Sequence, residues 1–201
     1  MKWGMVIDLK RCIGCYGCQL SCKAENGTPP GVFYARVIKQ EEGQYPTVQQ
    51  LALPVLCNHC EDAPCVSACP TGASFKWEED GIVDIDHDLC VGCRACMMAC
   101  PYNNRYFNDQ PQHYFPQGMT PYETSRTDRH QKDVVMKCNF CRDRVRAGKS
   151  PACVANCPTV ARIFGDLDDP MSEVSRLIKE RGGFALHPEL DTRPSVYYLP
   201  P

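Results

Sequence analysis

Apolar and polar residues alternate only over short segments of this chain, which predicts small strands and helices rather than long elements. Three segments rich in β-branched and aromatic residues are interpreted as strands, the last two as an antiparallel pair: residues 5–8, 32–40 and 47–55. Residues 74–86 predict a hairpin that turns at Asp80 and Gly81. Residues 195–199 predict a final strand that completes a sheet.

Helical periodicity is limited to two segments. Residues 140–147 predict one short helix. A second helix is predicted to begin at Pro170, because proline is favoured at the first helical position, and to end at Gly182. Its buried face is the apolar stripe of Val174, Leu177 and Ile178. Short elements separated by turns indicate an α+β fold.

Residues 107–133 show neither helical nor strand periodicity and are interrupted by three prolines. They also include several aromatic residues, which are enriched in protein interfaces. A long irregular segment in a compact chain is usually either functional or disordered. We therefore predict an irregular insertion that contacts a partner.

Composition and charge exclude several classes of protein. The chain has 201 residues and a formal net charge of −2, which gives no case for nucleic-acid binding. No segment is apolar over the roughly 18 residues that a transmembrane helix requires. The N-terminal residues have neither an apolar signal core nor twin arginines, so we expect no export signal of the chain's own. The unusual quantity is cysteine, with 16 residues.

These cysteines carry the chemistry, because their spacing repeats. Cys90, Cys93, Cys96 and Cys100, followed by Pro101, form the C-x2-C-x2-C-x3-C-P run of bacterial ferredoxins. In that run three thiolates from one tight loop bind one iron–sulfur cluster, and the fourth thiolate reaches a second cluster. The other groups are Cys12, Cys15, Cys18 and Cys22; Cys57, Cys60, Cys65 and Cys69; and the split group Cys138, Cys141, Cys153 and Cys157.

Disulfides and zinc are the alternative uses of so many cysteines. A secreted disulfide scaffold also has a high and even count, but its partners are spread apart to close loops. Structural zinc uses two C-x2-C pairs for each ion rather than a third cysteine at the same step. The recurring two-residue gaps favour iron–sulfur clusters over both.

Histidine and basic residues near the cysteines have two interpretations each. His59, between Cys57 and Cys60, could be an iron ligand or proton relay, but four cysteines complete the coordination, so packing beside a cluster is favoured. Basic side chains near the ligands would offset cluster charge and raise reduction potentials, and the alternative is an ordinary solvated face. The residues concerned are Lys10, Arg11, Lys23, Arg94, Lys137 and Arg142.

The four groups, in this order, resemble the four-cluster electron-transfer subunit of the dimethyl sulfoxide reductase family of molybdopterin oxidoreductases. The motifs that carry the resemblance are CIGCYGCQLSC, CNHCEDAPCVSACP, CVGCRACMMACP and the split CNFC…CVANCP. GDLDDP, which begins at Gly165, is similar to the smaller subunits of polysulfide, tetrathionate and arsenate reductases. The insertion is longer than in the shortest members, and the transmembrane tail of formate dehydrogenase relatives is not found.

Exchange of the fourth ligands predicts how the groups pair. The two central groups are contiguous and should share a domain, which leaves the first and fourth groups to meet, and the resemblance implies the same pairing. The expected ligand sets are Cys12, Cys15 and Cys18 with Cys157; Cys138, Cys141 and Cys153 with Cys22; Cys57, Cys60 and Cys65 with Cys100; and Cys90, Cys93 and Cys96 with Cys69. In some relatives a tryptophan at the position of Cys93 accompanies a three-iron cluster. The cysteine here implies four 4Fe–4S clusters.

Two ferredoxin-like dicluster modules, made of short strands, hairpins and short helices, are the expected architecture. The outer module comprises residues 1–51 and 134–201, and the inner module comprises residues 52–106. Residues 107–133 form the insertion between them.

Electron transfer rather than catalysis is the expected function. Full cysteine ligation leaves no iron open to substrate, and the chain has no nucleophile–base arrangement or nucleotide motif. The resemblance implies a relay between a membrane quinone or quinol subunit, or another electron donor, and a molybdopterin catalytic subunit in anaerobic respiration. The outer module would face the catalytic subunit, and the inner module would face the membrane subunit.

Other assemblies and locations stay open. The alternatives are the electron-transfer subunit of a hydrogenase or formate dehydrogenase complex, and a free polyferredoxin. The resemblance implies the extracytoplasmic face of the cytoplasmic membrane, reached with an exported partner. The cytoplasmic side is the alternative.

Overall fold

The computed structural model describes residues 1–109, 113–126 and 131–201. The strands are β1 Trp3–Asp8, β2 Ala35–Glu42, β3 Gln49–Leu56, β4 Ser74–Lys76, β5 Val83–Ile85, β6 Tyr106–Asn108, β7 Val134–Met136, β8 Arg162–Asp166 and β9 Val196–Leu199. The helices are α1 Gly17–Asn26, α2 Pro64–Ser67, α3 Ala95–Met98, α4 Pro121–Thr124, α5 Arg142–Arg146, α6 Ala152–Ala155 and α7 Glu173–Glu180, with a 3-10 turn at Pro188–Leu190. These short elements make the fold α+β. Within the described ranges, every helix is too short or too polar to cross a bilayer.

A three-stranded sheet brings distant parts of the chain together. β1 lies in its middle, antiparallel to β8 and parallel to β9, which confirms the predicted strand at the end of the chain. Three successive residues of β1 are fully buried: Met5, Val6 and Ile7. Ile7 lies opposite Arg162, so the end of β1 is beside the start of β8. Because Cys12 follows β1 and Cys157 precedes β8, the sheet places the first and fourth cysteine groups next to each other.

Three two-stranded sheets position the central groups. β2 pairs antiparallel with β3, and β4 with β5, which confirms the predicted strand pair and the hairpin. β6 pairs antiparallel with β7, with Tyr106 opposite Met136. This third pair was not predicted. It joins the segment that follows the third cysteine group to the segment that precedes the fourth.

The predicted insertion, residues 107–133, is more regular in its described part than its sequence indicates. Its first two residues belong to β6, and α4 begins with a capping box in which Glu123 N donates to Thr120 Oγ1 at 3.2 Å. Tyr114 Oη donates to the carbonyl oxygen of Thr28 at 3.0 Å, which fastens the insertion to the loop after α1. Residues 110–112 and 127–130 lie outside the described residues. Contact of the insertion with a partner stays a prediction.

Both predicted helices form, with later starts than the sequence indicates. α5 begins at Arg142 because Phe140 and Cys141 have left-handed backbone, with φ of 54° and 51°. α7 begins after Ser172, whose hydroxyl accepts the N–H of Ser175, so the predicted start at Pro170 is wrong. Before this cap the Asp169 carboxylate accepts the N–H of Met171 at 2.8 Å, which forms a turn rather than a helix.

Cysteine side chains form a large part of the buried core. The largest cluster of buried residues combines Met5, Ile7 and Phe140 with five cysteines of three different groups: Cys18, Cys22, Cys57, Cys138 and Cys153. A second cluster combines Val83 and Val135 with Cys60, Cys65 and Cys96. Because buried cysteines pack among the apolar side chains of this core, whatever the thiols bind is enclosed by the fold and contributes to it.

Candidate metal centres

All sixteen cysteines are free thiols, and none is in a disulfide. The thiols are grouped into four sets by the cavity, the hydrogen-bond donor or the charge interactions that their members share. Set 1 is Cys12, Cys15, Cys18 and Cys157, which line one small cavity together. Set 2 is Cys22, Cys138, Cys141 and Cys153, in which Cys22 interacts with Cys141 and Cys153. Set 3 is Cys57, Cys60, Cys65 and Cys100, in which Cys60 interacts with the other three.

Set 4 is Cys69, Cys90, Cys93 and Cys96. Cys96 interacts with Cys69 and Cys90, and Cys93 lies in the same loop. A shared hydrogen-bond donor links set 2 in the same way, since Asn26 Nδ2 lies 3.5 Å from Cys22 Sγ and 3.9 Å from Cys141 Sγ. In each set, therefore, a cysteine from one sequence group lies among cysteines of another.

Left-handed backbone shapes the tight loops of sets 1 and 4. Gly14 and Gly92 each stand two residues after the first cysteine of their group, with φ of 64° and 66°. A Cβ atom on Gly92 would clash with the carbonyl oxygen of Asp133. Tyr16 and Arg94, which cap α1 and α3, both have φ of 61°. The two loops thus repeat one backbone pattern, as their common cysteine spacing predicts.

Backbone amides donate to the sulfur atoms of the fourth cysteines. Ser74 N lies 3.3 Å from Cys69 Sγ, and Ala161 N lies 3.3 Å from Cys157 Sγ. Burial raises the pKa of both thiols, but the amide hydrogen bonds outweigh it, and the pKa of Cys69 and of Cys157 is below its usual value. These donors stabilise a thiolate, which is the form that binds metal.

Buried thiols elsewhere are strongly disfavoured as free thiolates. Burial raises the pKa of Cys60 to about 12 and that of Cys153 to about 11, and neighbouring thiols add to the effect. A buried thiolate is stable only beside positive charge, and coordinated iron supplies it. All-thiolate donor sets are the ones that iron–sulfur clusters take. The donor chemistry therefore fits such clusters.

The separation of the possible metal-binding side chains argues against a site for a single metal ion. In the part of the chain that the structure describes, no three His, Cys, Asp or Glu side chains converge closely enough to hold a single metal ion. A cubane cluster binds each thiolate at a different iron corner, so its four ligand sulfur atoms surround the cluster body instead of converging on one point.

His59 packs between cysteine loops and is held as a neutral ring. Its Nδ1 accepts the N–H of Val83 at 3.1 Å, and its ring lies 3.8 Å from that of Phe140. Burial lowers its pKa, and the charges of Lys137 and Arg105 lower it further. These contacts favour the packing role over the ligand role.

Most of the basic residues expected near the ligands have other partners. Lys23 Nζ donates to the carbonyl oxygens of Pro29 and Val32, and Arg142 pairs with Asp80 at 2.9 Å. Three are exposed: Lys10, Arg11 and Arg94. Lys137 is buried and donates to the carbonyl oxygens of Val83 and Cys138. Lys137 is therefore the one whose placement matches the expected role.

Two buried arginines were missed by the sequence analysis. Arg105 and Arg162 are 4% and 2% exposed. Each stands five residues after the last cysteine of its group, in CPYNNR and CPTVAR. The repeated C-P-x3-R spacing is the signal that could have found them.

Comparison with known proteins decides the family. A 4Fe–4S dicluster domain family matches residues 48–116 and 112–167. The arsenate respiratory reductase iron–sulfur subunit ArrB of Shewanella sp. (strain ANA-3) is 42% identical, over 99% of this chain and 96% of the relative. A selenate reductase subunit of Mesobacillus selenatarsenatis is 41% identical, over 99% and 72%. Protein NrfC of Escherichia coli (strain K12) is 41% identical, over 100% and 81%.

The chain belongs to the iron–sulfur subunits of the dimethyl sulfoxide reductase family. Subunits of this family transfer electrons in oxidoreductase complexes and are partners of the catalytic subunit rather than enzymes themselves. This iron–sulfur subunit accordingly binds 4Fe–4S clusters. When bound, the clusters supply one-electron redox chemistry, and the protein supplies ligands, burial and charge.

Proposed function

We propose that this iron–sulfur subunit carries four 4Fe–4S clusters, one in each thiol set, and relays electrons between two partners. One partner is a membrane quinone or quinol subunit, or another electron donor, and the other is a molybdopterin catalytic subunit. All sixteen cysteines are then ligands. Support for one cluster per set comes from the mixing of cysteine groups within each set.

The observation that carries the relay is the exposure of two cysteines. Of the sixteen, Cys15 in set 1 and Cys93 in set 4 have exposed side chains. Tunnelling to a partner requires a cluster near the surface, and these two sets supply one each. The intervening sets 2 and 3 connect them, since Cys138 interacts with Cys57 and Cys153 interacts with Cys18.

Exposed apolar side chains lie in the same chain segments as the two exposed thiols or, for Val160, between two residues that line the cavity of Cys15. Near Cys15 the exposed residues are Ile13 at 65%, Leu20 at 63% and Val160 at 59%. Near Cys93 they are Leu89 at 52%, Val91 at 67% and Met98 at 88%. Exposed apolar groups beside a redox centre are typical of docking surfaces. Each end of the relay thus has a surface suited to a partner protein.

Two ferredoxin-like modules are part of the proposal. Sets 1 and 2 belong to the outer module, residues 1–51 and 134–201, and sets 3 and 4 belong to the inner module, residues 52–106. The β1–β8 pairing supports the outer module, and the β4–β5 hairpin between the central groups supports the inner one. The outer module faces the catalytic subunit in this proposal.

The terminal electron acceptor of the complex is the compound that the catalytic subunit reduces. Relatives of this chain serve arsenate and selenate reductases, so we propose an oxyanion or sulfur compound of this kind, including polysulfide and tetrathionate.

We also propose that the subunit works at the extracytoplasmic face of the cytoplasmic membrane, exported together with its partner. Deleting the partner's export signal should then leave this chain in the cytoplasm, and export of the chain alone would contradict it.

Metal analysis of the native complex tests the assignment. Four clusters require about sixteen iron atoms and equal acid-labile sulfide per chain. Molybdenum in the same complex supports a molybdopterin partner, whereas nickel would indicate a hydrogenase complex. Zinc in place of iron, or a chain that stays monomeric with no partner, would overturn the proposal.

A further inference from the structure

Arg105 and Arg162 are buried charges that lack the usual counter-ion. Among residues 1–109, 113–126 and 131–201, no Asp or Glu forms an ion pair with either guanidinium. A buried charge is costly unless it is paired. Each arginine also keeps one terminal nitrogen, Arg105 Nη1 and Arg162 Nη2, without a hydrogen-bond partner in the described part of the chain. Each guanidinium therefore has no carboxylate to neutralise its charge, and each has one N–H donor without an acceptor.

Arg105 lies between the two inner thiol sets. Its Nη2 donates to Cys65 Sγ of set 3 at 3.0 Å and to Ser74 Oγ at 2.6 Å. The same guanidinium interacts with Cys96 of set 4. When a cluster is bound in either set, its sulfur atoms would be possible acceptors for the free Nη1.

Arg162 occupies the corresponding place in the outer half. It begins β8 opposite Ile7, and its Nη1 lies 3.6 Å from Met5 Sδ. It lines the small cavity formed by the set 1 thiols, and its charge interacts with Cys18 of set 1 and with Cys153 of set 2. Arg105 and Arg162 thus occupy corresponding positions, each five residues after the last cysteine of its group.

Lys137 occupies the remaining gap, between the halves. Its Nζ donates to the carbonyl oxygens of Val83 and Cys138, so it bridges β5 and the start of the fourth group. Its charge interacts with Cys65 of set 3 and with Cys138 of set 2. In the described part of the chain it has no carboxylate partner either.

We propose that Arg162, Lys137 and Arg105 form a row of buried cations, one at each step between neighbouring clusters, and that each raises the reduction potentials of both clusters beside it. The proposal rests on the four-cluster assignment given above. A reduced cluster carries one more negative charge than an oxidised one, so a nearby cation stabilises the reduced form.

The position of each cation between two clusters affects electron transfer from one cluster to the next. In each step one cluster loses an electron and is oxidised, and the next gains it and is reduced. Because the cation lies between them, its attraction for the electron is similar before and after the step. It raises both potentials together and does not hold the electron on one side.

Arg105→Gln and Arg105→Lys, made in the intact complex, separate charge from packing. EPR-monitored redox titration should show the two inner clusters harder to reduce in Arg105→Gln, by about tenfold in the reduced-to-oxidised ratio at fixed potential, or about 59 mV for a one-electron couple. The outer clusters should keep their potentials. Arg105→Lys should restore most of the shift. Arg94→Gln is the matched control, because Arg94 neighbours Cys93 but is exposed, and it should shift little.

Arg162→Gln and Arg162→Lys repeat the test on the outer clusters. Unchanged potentials in the Gln variants with full iron content would overturn the proposal, and so would equal shifts in the Lys and Gln variants. Loss of iron from both Gln variants would mean that the arginines hold the clusters in place, which also overturns it. The wild-type iron count and its four EPR signals test the four-cluster assignment separately, so failure of that assignment is recognised before any variant is compared.

Discussion

The rings of His59 and Phe140 lie 3.8 Å apart, centroid to centroid, and both are buried. His59 stands between Cys57 and Cys60, and Phe140 stands between Cys138 and Cys141. The contact therefore joins the ligand loop of set 3 directly to that of set 2. These are the two sets that link the inner and outer halves of the proposed relay.

Phe140→Ala should destabilise the cluster-loaded chain by about 3–5 kcal/mol, because the loss of a buried ring leaves a cavity at this junction. Urea unfolding followed by cluster absorbance measures the loss. Phe115→Ala is the control, since Phe115 is 56% exposed, and it should change stability by no more than about 0.5 kcal/mol. Similar effects of the two substitutions would show that the contact contributes little.

Cys22→Ser tests the exchange of ligands between groups. Cys22 lies with Cys141 and Cys153 rather than with the other cysteines of its own sequence group. EPR should therefore show the set 2 cluster degraded to a three-iron form or shifted in potential, with the set 1 cluster unchanged. Cys69→Ser should disturb only the inner clusters. If Cys22→Ser instead removes the cluster bound by Cys12, Cys15 and Cys18, each group holds its own cluster.

Gly92→Ala should weaken the set 4 loop more than a left-handed backbone alone explains. A Cβ at Gly92 meets the carbonyl oxygen of Asp133 and lies 3.2 Å from the ring of Phe107. Gly148→Ala is matched in backbone, with φ of 71°, but has open space around it. Both should lose about 1–2 kcal/mol from the left-handed conformation, and Gly92→Ala should lose roughly 1–3 kcal/mol more from crowding. The readout is the rate of iron release to a chelator. Equal rates would contradict the crowding argument.

Glu61→Gln should reduce stability in a pH-dependent way. Glu61 pairs with Lys76 at 2.8 Å and with Lys2 at 2.9 Å, and these bonds lower its pKa to about 2 from an ordinary 4.5. Because the folded pKa is depressed, the stabilisation is complete above pH 4.5 and is lost as the pH falls towards 2. Its size should be about 1 kcal/mol or less, since the pairs are partly exposed.

Thermal unfolding of the loaded chain at pH 7 and at pH 4 measures this effect. The difference between wild type and Glu61→Gln should be larger at pH 7. The exposed Glu78 provides the control, and Glu78→Gln should differ little from wild type at either pH. A Glu61→Gln effect that grows as the pH falls would have the wrong sign.

Cysteine spacing predicted the chemistry well, because a ligand loop is a local structure that its own residues determine. The hairpin at β4 and β5 and the strand β1 were predicted for the same reason. β8 was not predicted, because Gly165 and Asp166 are poor strand formers and only pairing with β1 makes the segment extended. The start of α7 was misplaced because the Ser172 cap outweighs the preference of Pro170.

The roles of Arg105 and Arg162 could not be predicted from the sequence alone. Arginine is usually exposed, so the basic residues chosen from sequence were those adjacent to cysteines. Lys23 and Arg142, chosen in this way, bind carbonyl and carboxylate groups instead. Burial between two thiol sets depends on how four sequence groups pack together, and this is a tertiary property that neighbours in sequence do not reveal.

The pairing of β1 with β8 also affects the order in which the thiol sets become complete during synthesis. β1 leaves the ribosome early, but its antiparallel partner appears only after Cys157 has been made. The ligands of set 1 are complete only once Cys157 has been made, and those of set 2 only once Cys153 has been made. The cysteines of sets 3 and 4 all lie between Cys57 and Cys100, so they are available while the fourth group is still untranslated. The inner ligands are thus all available before the outer sets are complete, and packing around them is completed only when residues such as Val135 and Phe140 have been made.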